Sequence, residues 1–401
     1  MGGCKSPVVN HPFHRNLHPS GNILGPTRRM DFWRKKAKKR AVFLIPSDRM
    51  GGAERVVKTL AECAAKRKMF DSIDVFVLCW SRTGTLDDLE RHDFVNLIYT
   101  DAKSELRGLG KLVAYLLSHK FTFVFSSSTH LNSLVSLLRR LRMLRADRVV
   151  ARESTMIFER SFGLTGGIFR FFYKLYGGQD LIVCQTERMR ASLDKHTGRK
   201  FRNLLCTLPN PIDLRRVSQG EYAAWRLPIS EKVTRIAWCG RLVPIKMPGL
   251  AIEVLAYLDA RDPSYELVVI GDGPERNEIE AKAKELGLQT KVIFTGQVAN
   301  PCAVMASCDV GLVTSQLEGF PNVVLEMLAS GISKVVSTDC AGGLSDIPGV
   351  HVVSASGAAA LASSIVSSRA GDRLHIQGYL DAHSPDIFLA SIVGAQQKGD
   401  V

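Results

Sequence analysis

The sequence predicts an α/β protein of two Rossmann-like domains in tandem, each on a parallel sheet. Three observations predict this. Short apolar runs alternate with stretches of helical period, first from Ala41 and again from Arg235. Glycine or small polar residues follow most of the apolar runs, as they do where a strand turns into a helix. Between the two series, Leu208-Pro209-Asn210-Pro211-Ile212-Asp213 sets two prolines in a break that reads as a linker or hinge. At 401 residues the chain is long enough for two ordinary domains, and 45% apolar with 23% charged residues is a globular composition.

Taken in order, residues 1–40 read as a disordered basic segment. It ends on Phe32-Trp33 and the run Arg34 to Arg40. Ala41 to Pro46 is the first buried strand. Met50-Gly51-Gly52-Ala53-Glu54-Arg55 turns into a helix through Ala65, and the pair Gly51-Gly52 lets a ligand come close to the backbone. Asp74 to Leu78, Val95 to Tyr99 and Thr122 to Phe125 are further strands. The last runs into Ser126-Ser127-Ser128-Thr129-His130, where polar residues at a strand's end make His130 a site candidate or a helix-capping cluster. Leu134 to Arg145 places leucines at helical spacing beside Arg139, Arg140, Arg142 and Arg145. Gly166 to Lys174 mixes aromatic and basic residues. Both stretches suit either a membrane-surface face or an ordinary amphipathic helix. Val149 to Glu153, Asp180 to Cys184 and Leu204 to Thr207 complete the first domain, bounded at 41–209.

The second domain, 210–375, repeats the plan. Arg235 to Cys239 is a strand, followed by Gly240-Arg241-Leu242-Val243-Pro244-Ile245-Lys246 and a helix from Pro248 to about Leu258. Glu266 to Ile270 is a strand closed by Gly271-Asp272-Gly273-Pro274. Val292 to Phe294 and Lys334 to Ser337 are strands. Between them Asp309 to Thr314 leads into Gln316-Leu317-Glu318-Gly319-Phe320-Pro321-Asn322-Val323-Val324-Leu325-Glu326, with a helix stopped by Gly331. Glu318 then sits in a strand-to-helix turn. Glu326 lies four residues past Asn322, on the same helical face. Residues 376–401 form a short last helix and tail.

Charge and cysteine usage narrow the function. Of the net charge of +14, +9 falls in residues 1–40, leaving a body that is only mildly basic at +5. A nucleic-acid reader needs a basic face on a folded domain, so nucleic acid is not expected as a partner. The basic N-terminal half, with its aromatic residues, instead offers a contact with anionic lipid headgroups. The nine cysteines show no C-x-x-C pair, no apolar run approaches a membrane span of about 18 residues, and no signal peptide opens the chain. The expectation is a cytoplasmic protein, with peripheral attachment to the inner face of the cytoplasmic membrane as an option.

Arg241 and Lys246, five residues apart beyond a strand end, form a candidate clamp for a diphosphate. Joined to the acid pair Glu318 and Glu326, they supply phosphate and hydroxyl contacts from one domain. With Gly271-Asp-Gly273-Pro and Met50-Gly-Gly-Ala-Glu54, these motifs resemble those of retaining glycosyltransferases of the GT-B fold, family 4. The resemblance runs from about Ala41 to Val353. It implies two domains facing a central cleft and transfer of a sugar from a nucleoside-diphosphate donor to a glycan or lipid-linked acceptor, as in polysaccharide or lipopolysaccharide synthesis. A UDP-sugar carrying a hexose or N-acetylhexosamine is the expected donor. The resemblance implies no cofactor and no metal. It assigns Glu318 to donor-sugar hydroxyls, Glu326 to the ribose, and the backbone of Gly319, Phe320, Pro321, Asn322 and Val323 to the sugar and β-phosphate. Arg241 and Lys246 neutralise the leaving diphosphate. Gly52, Gly273 and His130 join the donor site. One departure is Met247 after Lys246, where the family often has glycine; another is the shortness of the helix after Pro385, since the resemblance implies that the last segment, 376–401, packs back on the first domain.

Other readings remain. A nucleotide-sugar epimerase shares the two-domain shape. A nucleotide sensor cannot be separated by fold alone. A dinucleotide oxidoreductase is disfavoured, because Gly271-x-Gly273 lacks the third glycine and the distal acid.

Overall fold

The computed structural model describes residues 38–394, apart from 50, 80–81, 101, 160–165, 219–231 and 356. Most of the basic N-terminal segment, Met50 and the tail beyond 394 therefore lie outside the described residues.

The first sheet holds β1 (Arg40–Ile45), β2 (Ser72–Val77), β3 (Val95–Tyr99), β4 (Lys120–Ser126), β5 (Arg145–Arg152), β6 (Leu181–Cys184) and β7 (Leu205–Thr207). Its order is 3-2-1-4-5-6-7, all parallel, with Ala41 level with Ile73 on one side and Phe123 on the other. Its interior strand β1 is buried on both faces and so reads as an apolar run from Ala41 to Ile45. Alternate residues of β1 serve opposite cores: Phe43 and Ile45 join one, Val42 and Leu44 the other. The helices are α1 (Gly52–Lys66), α2 (Glu105–Ser118), α3 (Thr129–Arg140), α4 (Gly166–Phe172) and α5 (Glu187–His196); the short α6 (Leu214–Ser218) that follows the break packs in the second domain's core through Val217.

The second sheet holds β8 (Thr234–Cys239), β9 (Tyr265–Ile270), β10 (Val292–Gly296), β11 (Val310–Val313), β12 (Val335–Thr338) and β13 (Val350–Val353), in the order 10-9-8-11-12-13 and again parallel. Its helices are α7 (Pro248–Asp259), α8 (Arg276–Glu285), α9 (Pro301–Met305), α10 (Asn322–Ala329), α11 (Ala358–Ser367) and α12 (Arg373–Ala382). The strand order reverses at β1/β4 and at β8/β11. These are the switch points where open α/β sheets form crevices at the carboxyl ends of their strands.

The last helix, α13 (Pro385–Val393), returns to the first domain. Phe388, Leu389 and Ile392 enter the core that holds Val56, Val57 and Leu60 of α1. Arg67, just past the end of α1, donates to Asp386 at 2.6 Å, and Arg148 Nε donates to the Ile392 carbonyl at 2.7 Å.

One expected element is corrected. The Leu/Arg stretch 134–145 is not a single helix. Helix α3 starts earlier, at Thr129, and stops at Arg140; Arg145 already opens β5. Arg142 in the intervening turn has φ +57°, a left-handed conformation that ends a helix. The arginines stay at the surface, yet two of them also reach backbone carbonyls of neighbouring segments. Arg140 donates to the carbonyls of Lys174 and Tyr176, each at 3.2 Å, and Arg145 to that of Leu117 at 3.3 Å.

Candidate active site between the two domains

The loop after β8 is shaped from within. Trp238 Nε1 donates to the Thr314 hydroxyl at 2.8 Å, and that oxygen lies 2.8 Å from the Lys246 carbonyl. Gln316 N donates to Ile245 O, also at 2.8 Å. The loop is thereby pinned to the exit of β11, and Lys246 reaches Glu318, with which it forms an ion pair. Met247 takes the place where the family often has glycine and holds the left-handed conformation, φ 48°, that glycine adopts readily. Helix α7 begins at Pro248 regardless. Gly273 is demanded by packing: a Cβ there would stand 2.4 Å from the Leu242 carbonyl oxygen, inside the Arg241 loop.

Helix α10 opens toward the first domain. Asn322 and Glu326 lie on one face, as their spacing requires. Asn322 Nδ2 donates to the Gly52 carbonyl at 3.2 Å, and its Oδ1 accepts from Asn210. Glu326 Oε1 accepts from Arg55 Nη1 of α1. Its charge is the main reason that the Arg55 guanidinium is held above its ordinary pKa. Gly319 lies so close to the first domain that a Cβ would come within 2.8 Å of the Ser154 carbonyl oxygen.

The first domain contributes buried charge. Arg152, the last residue of β5, is 1% exposed; it donates to Ser127 Oγ at 2.7 Å and to Asn210 Oδ1. Burial pushes its pKa down to about 9, against the pull of Glu153 and Glu54. Glu153 turns away from the cleft into a cage of Tyr173, Tyr176 and Asn132, with hydroxyl contacts of 2.7 and 2.6 Å. Its pKa is raised by burial. Glu54 folds its carboxylate back on the N–H groups of Gly51 and of Glu54 itself. Burial raises its pKa, opposed by those bonds and by the charges of Arg152 and Arg241.

These groups surround one cavity of about 1210 Å³. It is lined by Arg241, Lys246, Gly273, Glu318 and Gly319 to Val323 with Glu326 from one domain, and by Gly52, Glu54, Arg55 and Arg152 from the other. Every site residue expected from the sequence therefore lines it, with one exception. His130 does not; it stands in the first turn of α3. The polar cluster before it serves the interior instead: Ser126 donates to Asn132 at 2.6 Å, and Ser127 receives Arg152. Sequence reasoning did not assign Arg55, Arg152 or Asn210 to the site. The only signal was positional, since Arg152-Glu153 are charges at a strand exit and Arg55 adjoins the glycine turn.

Chemically, the cleft combines Arg241, Lys246 and Arg152 with the starts of two helices, which favours a polyanion. Glu318 and Glu326 add acceptors for hydroxyl groups. Among the described residues, no group of three His, Cys, Asp or Glu side chains is placed to hold a metal ion.

Two parallel-sheet domains facing such a cleft define a GT-B protein. Residues 50–216 match the family described as Glycosyltransferase Family 4, and residues 222–361 match Glycosyl transferases group 1. The two matches together take in more than half of the chain, which belongs to this glycosyltransferase family. Among curated relatives, an uncharacterized glycosyltransferase of Methanocaldococcus jannaschii is 25% identical over 45% of this chain and 44% of its own. The N-acetylgalactosamine-N,N'-diacetylbacillosaminyl-diphospho-undecaprenol 4-alpha-N-acetylgalactosaminyltransferase of Campylobacter jejuni is 35% identical over 35% of this chain and 37% of its own. The chain thus spans less than half the length of these relatives. Among solved structures, HepE of Anabaena in complex with UDP superposes with a TM-score of 0.63 at 18% identity, covering 89% of this chain and 94% of that one. WaaG, a glycosyltransferase involved in lipopolysaccharide biosynthesis, gives 0.64 at 17%, covering 88% and 100%. At these identities the likeness is one of fold.

Proposed function

We propose that the chain transfers a sugar, with retention of anomeric configuration, from a nucleoside-diphosphate donor to a lipid-linked or cell-surface glycan. The observation that carries this is the single cavity that gathers Arg241, Lys246, Glu318 and Glu326 against the Gly51-Gly52 turn. On this reading the second domain holds the donor. Arg241 and Lys246 meet the diphosphate, Glu326 the ribose and Glu318 the sugar, while the first domain presents the acceptor. No side chain is assigned as nucleophile; the leaving phosphate helps to take the acceptor's proton on the same face. The Lys246–Glu318 pair of the free structure then opens, each partner exchanging the other for a group of the donor. UDP is the proposed nucleotide, supported by the UDP-bound structural neighbour. The acceptor class is supported by the undecaprenol-linked substrate in the name of the Campylobacter relative.

The test is a thermal-shift screen over nucleoside diphosphates and their sugars, followed by a transfer assay. A ligand at 100 times its Kd stabilises by about 2.7 kcal/mol, a readily measured shift. Lys246→Ala and Glu326→Ala are each expected to abolish transfer while still folding and unfolding cooperatively in the absence of ligand. Full activity in both variants would remove the site assignment. Product analysis without acceptor distinguishes transfer from epimerisation of the donor.

A further inference from the structure

We infer that Arg55 is a positioning residue for nucleoside recognition: from the opposite domain it fixes the Glu326 carboxylate for the ribose hydroxyls. The inference rests on the reading of Glu326 given above.

The two residues are 271 positions apart, one in the first turn of α1 and the other in the second turn of α10. Each sits on a helix that opens at the cleft. Glu326 is the more enclosed, with its side chain 14% exposed against 36% for Arg55. A carboxylate has two acceptor oxygens. Arg55 Nη1 occupies Oε1, so Oε2 can take hydroxyl hydrogens without breaking the pair. Hydrogen bonding to a charged group is stronger and more directional than between neutral groups, so the guanidinium holds the carboxylate in one orientation.

The surroundings fix which way that orientation faces. Behind the pair lies a second cavity, of about 550 Å³, between α1 and α10. Arg55 and Glu326 line both cavities and form the partition between them. Without Arg55 the carboxylate is no longer held on the cleft side and can swing into the second cavity, which Arg91 and Arg215 also line. One turn before Glu326, Asn322 binds the Gly52 carbonyl, so the same face of α10 is already docked on the start of α1. Ribose recognition is therefore a property of the two domains together, although its acceptor atoms belong to one.

A simple latch between the domains would predict something different. Its loss would weaken all cleft ligands alike. A positioning role predicts loss only for ligands that carry the hydroxyls. The test is calorimetric titration of the full chain with UDP and with 2′,3′-dideoxy-UDP, repeated with the GDP pair. The wild type is expected to prefer the ribonucleotide by about tenfold or more, the scale of a hydrogen bond to a charged group. In Arg55→Ala that preference collapses, because the ribonucleotide weakens while the dideoxy form keeps its wild-type affinity. Arg55→Lys restores part of the preference, and Arg55→Gln serves if the alanine variant does not fold. In turnover, the donor KM rises more than kcat falls. Retained preference in the Arg55 variants, or equal loss for both nucleotides, overturns the positioning role. A wild type that binds the nucleotides without preference overturns the Glu326 assignment. One that binds neither pair overturns the donor reading itself.

Discussion

At the scale of single residues, the cleft is expensive to fold, and Glu54 makes this measurable. Its carboxyl is held above the ordinary value of 4.5 by burial, which outweighs the two backbone N–H bonds and the nearby arginines. A raised carboxyl pKa means that folding opposes ionisation. The stability of the protonated form is fully present below the unfolded value and is lost as pH rises through the folded one. Glu54→Gln removes that loss. Its unfolding temperature should match the wild type below pH 4.5, exceed it as pH rises above that value, and keep a constant lead once pH has passed the folded-state value, as read from melting curves across pH. A difference that stays constant across the whole range would overturn this account. The same scale shows why part of the site was hidden in the sequence. Arg241, Lys246, Glu318 and Glu326 lie in local motifs whose spacing carries their meaning. Arg55 and Arg152 take theirs from partners in distant parts of the fold, Glu326 and Asn210, and no local pattern announces such a pairing.

At the scale of elements, the strands were the most legible. A strand buried on both faces can hardly be anything but a short apolar run, and β1, β2, β9 and β11 all have that form. The break between α3 and β5 was not legible, because Leu138, Leu141 and Leu144 continue the helical rhythm through the turn. Leu138 and Leu144 are buried on either side of it, whereas Leu141 is 58% exposed, so the rhythm ran on past the structure it described. Helix α13 shows what a short element can contribute. Phe388 is 3% exposed and sits in the α1 core, whereas Ile387 beside it is 49% exposed. Phe388→Ala should lower stability by about 3–5 kcal/mol. Ile387→Ala should change it by about 0.5 kcal/mol or less. Denaturant midpoints for the two variants check both, and equal midpoints would mean that α13 does not hold the domain.

At the scale of the whole molecule, the first domain carries a surface that the cleft does not explain. Phe171 is 53% exposed with Lys174 Nζ 5.6 Å from its ring centre, and Leu141 and Met143 are exposed at the end of the neighbouring α3. We propose that this edge meets an anionic membrane. The full chain should then sediment with phosphatidylglycerol vesicles at low salt and be released at high salt, because screening acts on exposed charges. Sedimentation that ignores salt, or none at all, would remove the proposal. Among the described residues no helix is long and apolar enough to cross a bilayer. The return of α13 to the first core has a consequence for dissection. The first domain is written in two separated pieces of chain, with the second domain spliced between them. A fragment cut at the proline-rich break would leave Val56, Val57 and Leu60 without the cover of Phe388 and Ile392. The second domain can be excised as one continuous segment. The first can be made whole only by grafting residues 385–393 back onto it, and a circular permutant opened at the break would keep each half contiguous.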